Sequence, residues 1–527
     1  MILKLALRSL TVRPWRTAIL AFGFGLGISV MAVLLGVGEV ILDQARAPAL
    51  QGGGDLVITG SFGSVDSARF VLANLFSGSE THAALTAVSP SKRATLFLSV
   101  PDGNRSSQPG GDAEDRDSQP KQRLLSVSAR GGIPSLEHRI GDPEVAKQAG
   151  WVDEPDDERW VHPDPTDVVR TMDRFHEQPE VAEFAASWAE WLYFNGRTAD
   201  GRTRFYLTFM FGPVHPDGTR GAGVRLQLDR DGQTTAYSSG SIVSAGNVLT
   251  NAPDLDVGEN HVRLEGGQYR MQLVLAGENP KIVGNRRGTD GVPQPKLTGS
   301  ITLAAPQGRS LPPFSIRGAR GWITGYVVPV LSGAIDGTLN VEGTTLSLAG
   351  GTGYHDHNWG FWKDVRWQWG QVAHDDLSFV YGRVFPPPSV ADADHLPGFL
   401  GVLGPNGPIA FSTRVAIREE DSPKAVSPGS SGGASGSSAG PASMFIDARG
   451  RELDLHLAFS VDRSVHTQLS MTAPRESPSL PLPHLPSGPS TIFLQMGGTY
   501  HVSGHAGSRE VDFTARGAAE TFRQSVP

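Results

Sequence analysis

No cysteine occurs among the 527 residues. Disulfides, thiolate nucleophiles and cysteine-based metal sites are thereby excluded. An exported domain without disulfides must be held by its core, and several hundred residues can build one. An excess of positive charge is also missing: 46 basic and 54 acidic residues leave a net charge of −8. No global basic field exists to attract nucleic acid. There is no phosphate loop, no H-E-x-x-H, no dinucleotide fingerprint and no nucleophile elbow. Only one long apolar run is present, so a polytopic membrane protein is excluded. The composition, 39% apolar and 8% aromatic, rules out a coiled coil and a fully disordered chain.

That single run is Thr17 to Gly38, 22 residues without a charge. At about 1.5 Å per residue it reaches roughly 33 Å, enough to cross a bilayer core. Lys4, Arg8, Arg13 and Arg16 precede it, and Glu39 and Asp43 follow it. The positive-inside rule then puts residues 1–16 in the cytoplasm and the bulk of the chain, after about residue 43, outside. A cleaved signal peptide is the alternative, since Ala47-Pro48-Ala49 loosely mimics a cleavage site. The run is longer than an ordinary signal-peptide core of about 7–15 residues, which favours an uncleaved, single-pass anchor in the cell membrane. Gly23-x-x-x-Gly27 would permit close helix packing there.

The exported part is rich in turn formers, with 64 glycines and 38 prolines. Residues 64–78 read as a short amphipathic helix. Residues 104–121 are polar and low in complexity, which predicts a disordered loop. The acidic stretch Asp153–Glu158 reads as a solvated loop. Asp164 can cap a helix over Pro165–His176. From Trp188 onward short β-branched and aromatic segments recur between turn residues. They are 204–211, 223–228, 268–275, 297–304, 323–331, 334–341 and 344–349, with a tight turn at Val341–Thr344. A second series follows at 367–373, 378–385, 399–403, 409–416, 453–461, 491–496, 499–503 and 510–519. Their close spacing implies antiparallel sheets, closed as barrels or stacked as sandwiches. Residues 421–443 and 474–490 read as loops inserted between strands. The two series divide near residue 350.

The densest chemical signal is Gly351–Gly360, GTGYHDHNWG, and four of the ten tryptophans lie at Trp359, Trp362, Trp367 and Trp369. On a strand, Tyr354, Asp356 and Asn358 share one face, and His355, His357 and Trp359 share the other. If the first face points into a barrel, Asp356 sits in an aromatic cavity, where desolvation raises a carboxyl's pKa and fits it to act as a general acid. The alternatives are an Asp356 carboxylate satisfied by backbone N–H groups or by Arg366 at a rim, and a Tyr354 that is simply a core aromatic. His355 and His357 could also chelate a metal with His374, Asp375 or Asp376. The 374–376 segment reads as a solvent-facing turn, however, so no metal and no cofactor is expected.

Two resemblances add to this. LALRSLTVRPWRTAIL, the apolar run and ALQGGGDLVITG together resemble the start of FtsX/MacB-type ABC-transporter permeases, over about residues 1–62. Such permeases have several spans, whereas this chain has one. GYHDHNWG, with Glu190–Gly196 (EWLYFNG) and the closing GAAETF, resembles the AttH-like lipocalin family that includes the carotenoid 1,2-hydratases (hydroxyneurosporene synthases), over about residues 186–525. The resemblance implies an all-β fold of two tandem lipocalin-like antiparallel barrels, at 186–350 and 351–527. These follow a basic tail (1–16), the anchor (17–42) and a mixed loop and helix region (43–185). It implies Asp356 and Tyr354 as catalytic residues, an acid protonating an alkene and water capturing the cation, which aromatic faces stabilise. Trp191, Tyr193, Asn358, Trp359, Trp367 and Trp369 are the expected substrate-binding residues. Leu192 stands where relatives often carry a second tryptophan. The expected function is a hydratase acting on an apolar lipid or isoprenoid. The alternative is a non-catalytic carrier of a hydrophobic ligand, working with an ABC exporter.

Overall fold

In a computed structural model of the chain, the described residues are 14–15, 58, 68, 71, 87–101, 122–141, 150–161, 163–278, 296–421, 440–466 and 491–524. The apolar run 17–38, almost all of the expected helix 64–78, the loop 104–121, residues 422–439 and the Pro-rich 474–490 lie outside them. Among the described residues no helix is long and apolar enough to cross a membrane. The chain forms two compact units, one holding Met1–Val65 with Leu85–Val161 and the other Asp66–Ala84 with His162–Pro527.

In the first unit, β1 (Ser91–Pro101) and β2 (Gln122–Gly132) pair antiparallel from Ser91↔Gly132 to Pro101↔Gln122. A short helix, α1 (Pro134–Arg139), follows them. Its Glu137 is buried and accepts hydrogen bonds from Ser89 Oγ (2.9 Å) and Arg130 (2.7 Å). The acidic stretch 153–158 is not an open loop. Glu154 and Asp157 cap each other's backbone around a 3-10 turn, Pro155–Asp157, and a helical turn Glu158–Val161 continues it. Carboxylates at a helix start are satisfied by its free N–H groups, which is why acid-rich sequence can begin a helix.

In the second unit, Asp164 accepts from the N–H groups of Thr166 and Asp167 and caps α2 (Pro165–Met172). The first barrel follows. Its strands are β3 (Trp188–Arg197), β4 (Thr203–Val214), β5 (Thr219–Arg230), β6 (Gln233–Ser244), β7 (Leu255–Val257), β8 (Asn260–Glu265), β9 (Gln268–Gly277), β10 (Lys296–Ala304), β11 (Leu311–Arg317), β12 (Ile323–Val341), β13 (Thr344–Ser347) and β14 (Gly351–Phe361). Eight of them close in the order β10-β12-β14-β3-β4-β5-β6-β9 and back to β10. Alternation sends Leu192, Phe194, Leu207, Phe209, Leu226 and Leu273 inward, all essentially inaccessible. The lumen is a packed core and not a cup.

The second barrel comprises β15 (Arg366–His374), β16 (Leu377–Phe385), β17 (Phe399–Gly404), β18 (Gly407–Ser412), β19 (Arg414–Asp421), β20 (Pro441–Arg449), β21 (Leu453–His466), β22 (Thr491–Ala506) and β23 (Arg509–Gln524). They run β18-β17-β16-β15-β23-β22-β21-β20-β19, a nine-stranded sheet curled almost to closure around its own apolar core. A third cluster, rich in tryptophan and tyrosine, lies along the seam between the barrels.

Three features depart from the sequence pattern. β14 pairs with β12 on one side and β3 on the other, so the first barrel extends past residue 350 to Phe361. The segments 323–331 and 334–341 form one strand, β12, whose register against β14 shifts around Pro329 and again before Gly333. Proline lacks the N–H that a regular ladder needs and is accommodated at such irregularities. The polar strand β6 shows no apolar alternation and escapes notice in the sequence. The hairpin at 341–344 forms as expected, with Glu342 and Gly343 both at positive φ (50° and 85°).

Gly370 on β15 faces the second core, where a Cβ would collide with the hydroxyls of Tyr381 and Tyr500. These two tyrosines hydrogen-bond each other at 2.9 Å. Gly370→Ala is expected to cost about 1–3 kcal/mol through overpacking. Chemical denaturation of the variant beside the parent checks this.

Candidate functional site

The seam between the barrels contains a cleft of about 830 Å3 of free space, its open mouth included. The outer faces of β3, β4, β12 and β14 form one wall, and strands of the second barrel form the other. Trp191, Tyr193, Asp356, Asn358, Trp367 and Trp369 all line it. Tyr354 lies just behind Asp356. The Tyr354, Asp356 and Asn358 face of β14 therefore points out of its own barrel. The expectation of a cavity inside a barrel is corrected here: phenylalanines and leucines fill the lumen, and the space lies between the two barrels.

Asp356 is 4% exposed and has no arginine partner among the described residues. Arg366 lies instead over the ring of Phe385. Tyr354 donates to Asp356 Oδ2 at 2.8 Å, and Asn358 Nδ2 donates to Oδ1 at 2.7 Å. Behind them Trp369 Nε1 donates to Tyr326 Oη at 3.1 Å, which leaves the Tyr326 proton for Tyr354 Oη at 2.6 Å. A second carboxyl, Glu520, faces the same cleft. It accepts from Tyr193 Oη (3.1 Å), Gln495 Nε2 (3.1 Å) and Trp367 Nε1 (3.0 Å).

Burial pushes the Asp356 carboxyl well above the ordinary range, and the nearby Glu520 adds to the rise. Glu520 is raised too, again by burial. Burial and the Asp356 charge likewise push the Tyr354 phenol far up, so it stays a hydrogen-bond donor. A protonated carboxyl has one O–H of its own. Both Asp356 oxygens already accept bonds from the protein, so that O–H remains available to whatever occupies the cleft.

The opposite face of β14 carries its own network, which the sequence placed correctly on the other side of the strand. His355 stacks on Phe194 inside the first barrel, with ring centroids 4.0 Å apart. Its nitrogens face the Tyr193 carbonyl (2.9 Å) and Asp173 Oδ2 (3.0 Å), and Tyr269 Oη donates to the same carboxylate at 2.8 Å. His357 lies between Asp173 (3.1 Å) and Glu190 (3.0 Å). These two carboxylates outweigh the burial penalty and lift His357 to about 9. The histidines in turn outweigh burial at Asp173 and hold it down to about 2. Trp359 belongs to this side as well. It stacks on His176 at 4.0 Å and does not line the cleft.

His176, Glu190 and His357 offer ligand atoms within 4.8 Å of one another, a spacing that a cation could bridge. Hydrogen bonds already join them, since Glu190 Oε1 accepts from His176 Nδ1 (2.9 Å) and from His357 Nε2 (3.0 Å). His357 of this cluster also faces Asp173 at 3.1 Å. His374, Asp375 and Asp376, weighed as metal partners of His355 and His357, do not meet them. His374 stacks on Phe513, and Asp376 pairs with Arg509.

Sequence inspection missed Glu520, Tyr326 and Asp173. Glu520 follows the small apolar pair Ala518-Ala519 in the GAAETF segment, and an acid in that setting is the signal that could have marked it. Asp173 and Tyr326 carry no local signal, because only the barrel's closure brings them to β14.

No family model matches this chain, and no curated protein matches it. Similar solved structures include a candidate AttH from Nitrosomonas europaea, 15% identical, with 66% of this chain and 96% of that chain covered and a TM-score of 0.38. Kievitone hydratase from Nectria haematococca is 15% identical over 65% of this chain and 90% of that one, with a TM-score of 0.36. CghA is 13% identical over 67% and 94%, with a TM-score of 0.38.

The buried cluster makes stability depend on pH. His357 is held at about 9 against an ordinary 6.5, so the folded chain binds this proton more tightly. Its contribution, about 3 kcal/mol, is complete below pH 6.5 and lost as pH rises through about 9. Asp173 works in the opposite direction: its contribution is complete above about 3.8 and lost as pH falls through about 2. Unfolding midpoints should fall between pH 6.5 and 9, and His357→Gln should be less stable with a flatter slope in that window. An unchanged slope in the variant would refute the assignment.

Proposed function

We propose that this chain is an acid–base enzyme acting on an apolar, unsaturated small molecule held between its barrels, in a hydration or the reverse dehydration. A single observation carries the reading: a carboxyl that accepts hydrogen bonds from Tyr354 and Asn358, and whose pKa burial raises in spite of them, faces an aromatic-walled cleft. Its walls suit an apolar, isoprenoid-like ligand. Asp356 supplies the proton that forms the new C–H bond as the alkene π bond opens. Trp191, Trp367 and Trp369 offer π faces to the positive charge that develops. Water then forms the C–O bond and returns a proton to the Asp356 carboxylate, while Glu520 orients that water from the facing wall. The Tyr326–Tyr354 pair holds the carboxyl in place throughout.

On the sequence alone we further propose that residues 17–38 tether the chain to the cell membrane, with the barrels outside the cytoplasm. Alkaline extraction should leave the full chain with the membrane fraction and release a chain starting at residue 43.

Asp356→Asn keeps the shape and removes the acid. It is expected to lower turnover of an alkene-bearing lipid at least 100-fold, since general acid catalysis contributes about 100- to 10,000-fold. Mass spectrometry of the reaction products measures this. Equal turnover by both proteins would overturn Asp356 as the acid. A bound lipid recovered from both, with no turnover in either, would establish a carrier instead.

A further inference from the structure

The seam between the barrels contains a second pocket, of opposite chemistry, that the hydration reading does not use. It encloses about 380 Å3 of free space, open mouth included. Arg197 on β3, Arg204 on β4 and Arg516 on β23 all line it, together with Asn195, Thr352 and Gln371. No aspartate or glutamate does. We propose that this pocket binds an oxyanion, a phosphate or carboxylate group, at a site distinct from the aromatic cleft.

Two independent observations support it. The first is the convergence of three guanidinium groups. Arg204 bonds Tyr206 and is balanced by Asp229, and Arg516 pairs with Asp462. Arg197 has no ion-pair partner among the described residues. Burial and the two neighbouring arginines depress its pKa, as expected of a cation that lacks a counter-charge. The second is Asn195. It is 5% exposed, and its Nδ2 has no hydrogen-bond acceptor among the described residues. Gln371 Nε2 donates to Asn195 Oδ1 at 3.4 Å, which commits the amide's other end to the donor role. A buried donor left unpaired is costly, and an anion that accepts from it removes that cost. The three guanidinium groups and the Asn195 Nδ2 bring donors together here, and no carboxylate lines the pocket. Arginine's planar fork matches the oxygens of phosphate and carboxylate.

Alternation explains why the two sites share a seam. Asn195 and Arg197 continue the face of β3 that carries Trp191 and Tyr193, and Thr352 continues the face of β14 that carries Tyr354 and Asp356. Four residues of strand, from Asp356 to Thr352, separate the acid from the arginines by about 13 Å. The Asn195–Gln371 pair stands between them.

The test is calorimetric titration of the full chain in neutral detergent, first with inorganic phosphate and then with short-chain phosphatidic acid. Saturable binding of one equivalent is expected, weakened at least tenfold in Arg197→Gln and in Asn195→Ala. Asp356→Asn should bind as the parent does. Loss of Asp356-dependent turnover leaves this result untouched, so the two proposals fail separately. Binding of inorganic phosphate identifies a free oxyanion as sufficient. Binding of phosphatidic acid alone identifies a lipid headgroup. No saturable binding of either, or equal binding by parent and both variants, overturns the site. Circular dichroism and melting of each variant separate lost binding from lost folding.

Discussion

Strand β14 is buried on both faces, and the rest of the molecule is arranged to satisfy that one strand. A buried strand normally carries apolar residues throughout. This one carries Tyr354, His355, Asp356, His357 and Asn358 in succession, and every polar side chain among them is bonded. Removing a charged or polar group from water is affordable only when partners replace the water. Those partners come from far away in the chain: Asp173 below the helix α2, Glu190 on the neighbouring strand, Tyr326 on the other neighbour and Trp369 from the second barrel.

Adjacent residues on this strand thereby acquire opposite protonation behaviour. Asp356 faces aromatic rings and neutral donors, so burial dominates and favours the neutral acid. His357, one residue on, faces two carboxylates, so attraction dominates burial and favours the cation. The environment sets each state, in the way that pairs of titratable groups are separated at catalytic sites. The charged layer lies inside the barrel behind the strand, and Asp356 faces the cleft in front of it.

The seam shows a second division of labour. One end is aromatic and contains two protonation-prone carboxyls, while the other contains cations and amide donors. Both ends are read from the same alternating faces of β3, β14, β15 and β23. Two barrels with packed cores therefore keep their free space outside themselves, where each lends one wall.

Much of this was legible in the chain. The strand series, the tight turn at Glu342–Gly343, the Asp164 cap and the two faces of 354–359 follow from local rules, because period-two alternation and turn geometry act over a few residues. The sequence also marked Asp356 and its tryptophan neighbours, since polar residues crowded into an aromatic strand are rare. It did not reveal that the face opens between barrels, that β14 belongs to the first of them, or that Trp359 turns to His176. Nor did it pair Asp356 with Glu520. Those outcomes depend on which strands close a sheet and which sheets meet. Contacts between residues more than 150 positions apart decide that, and no local pattern encodes it.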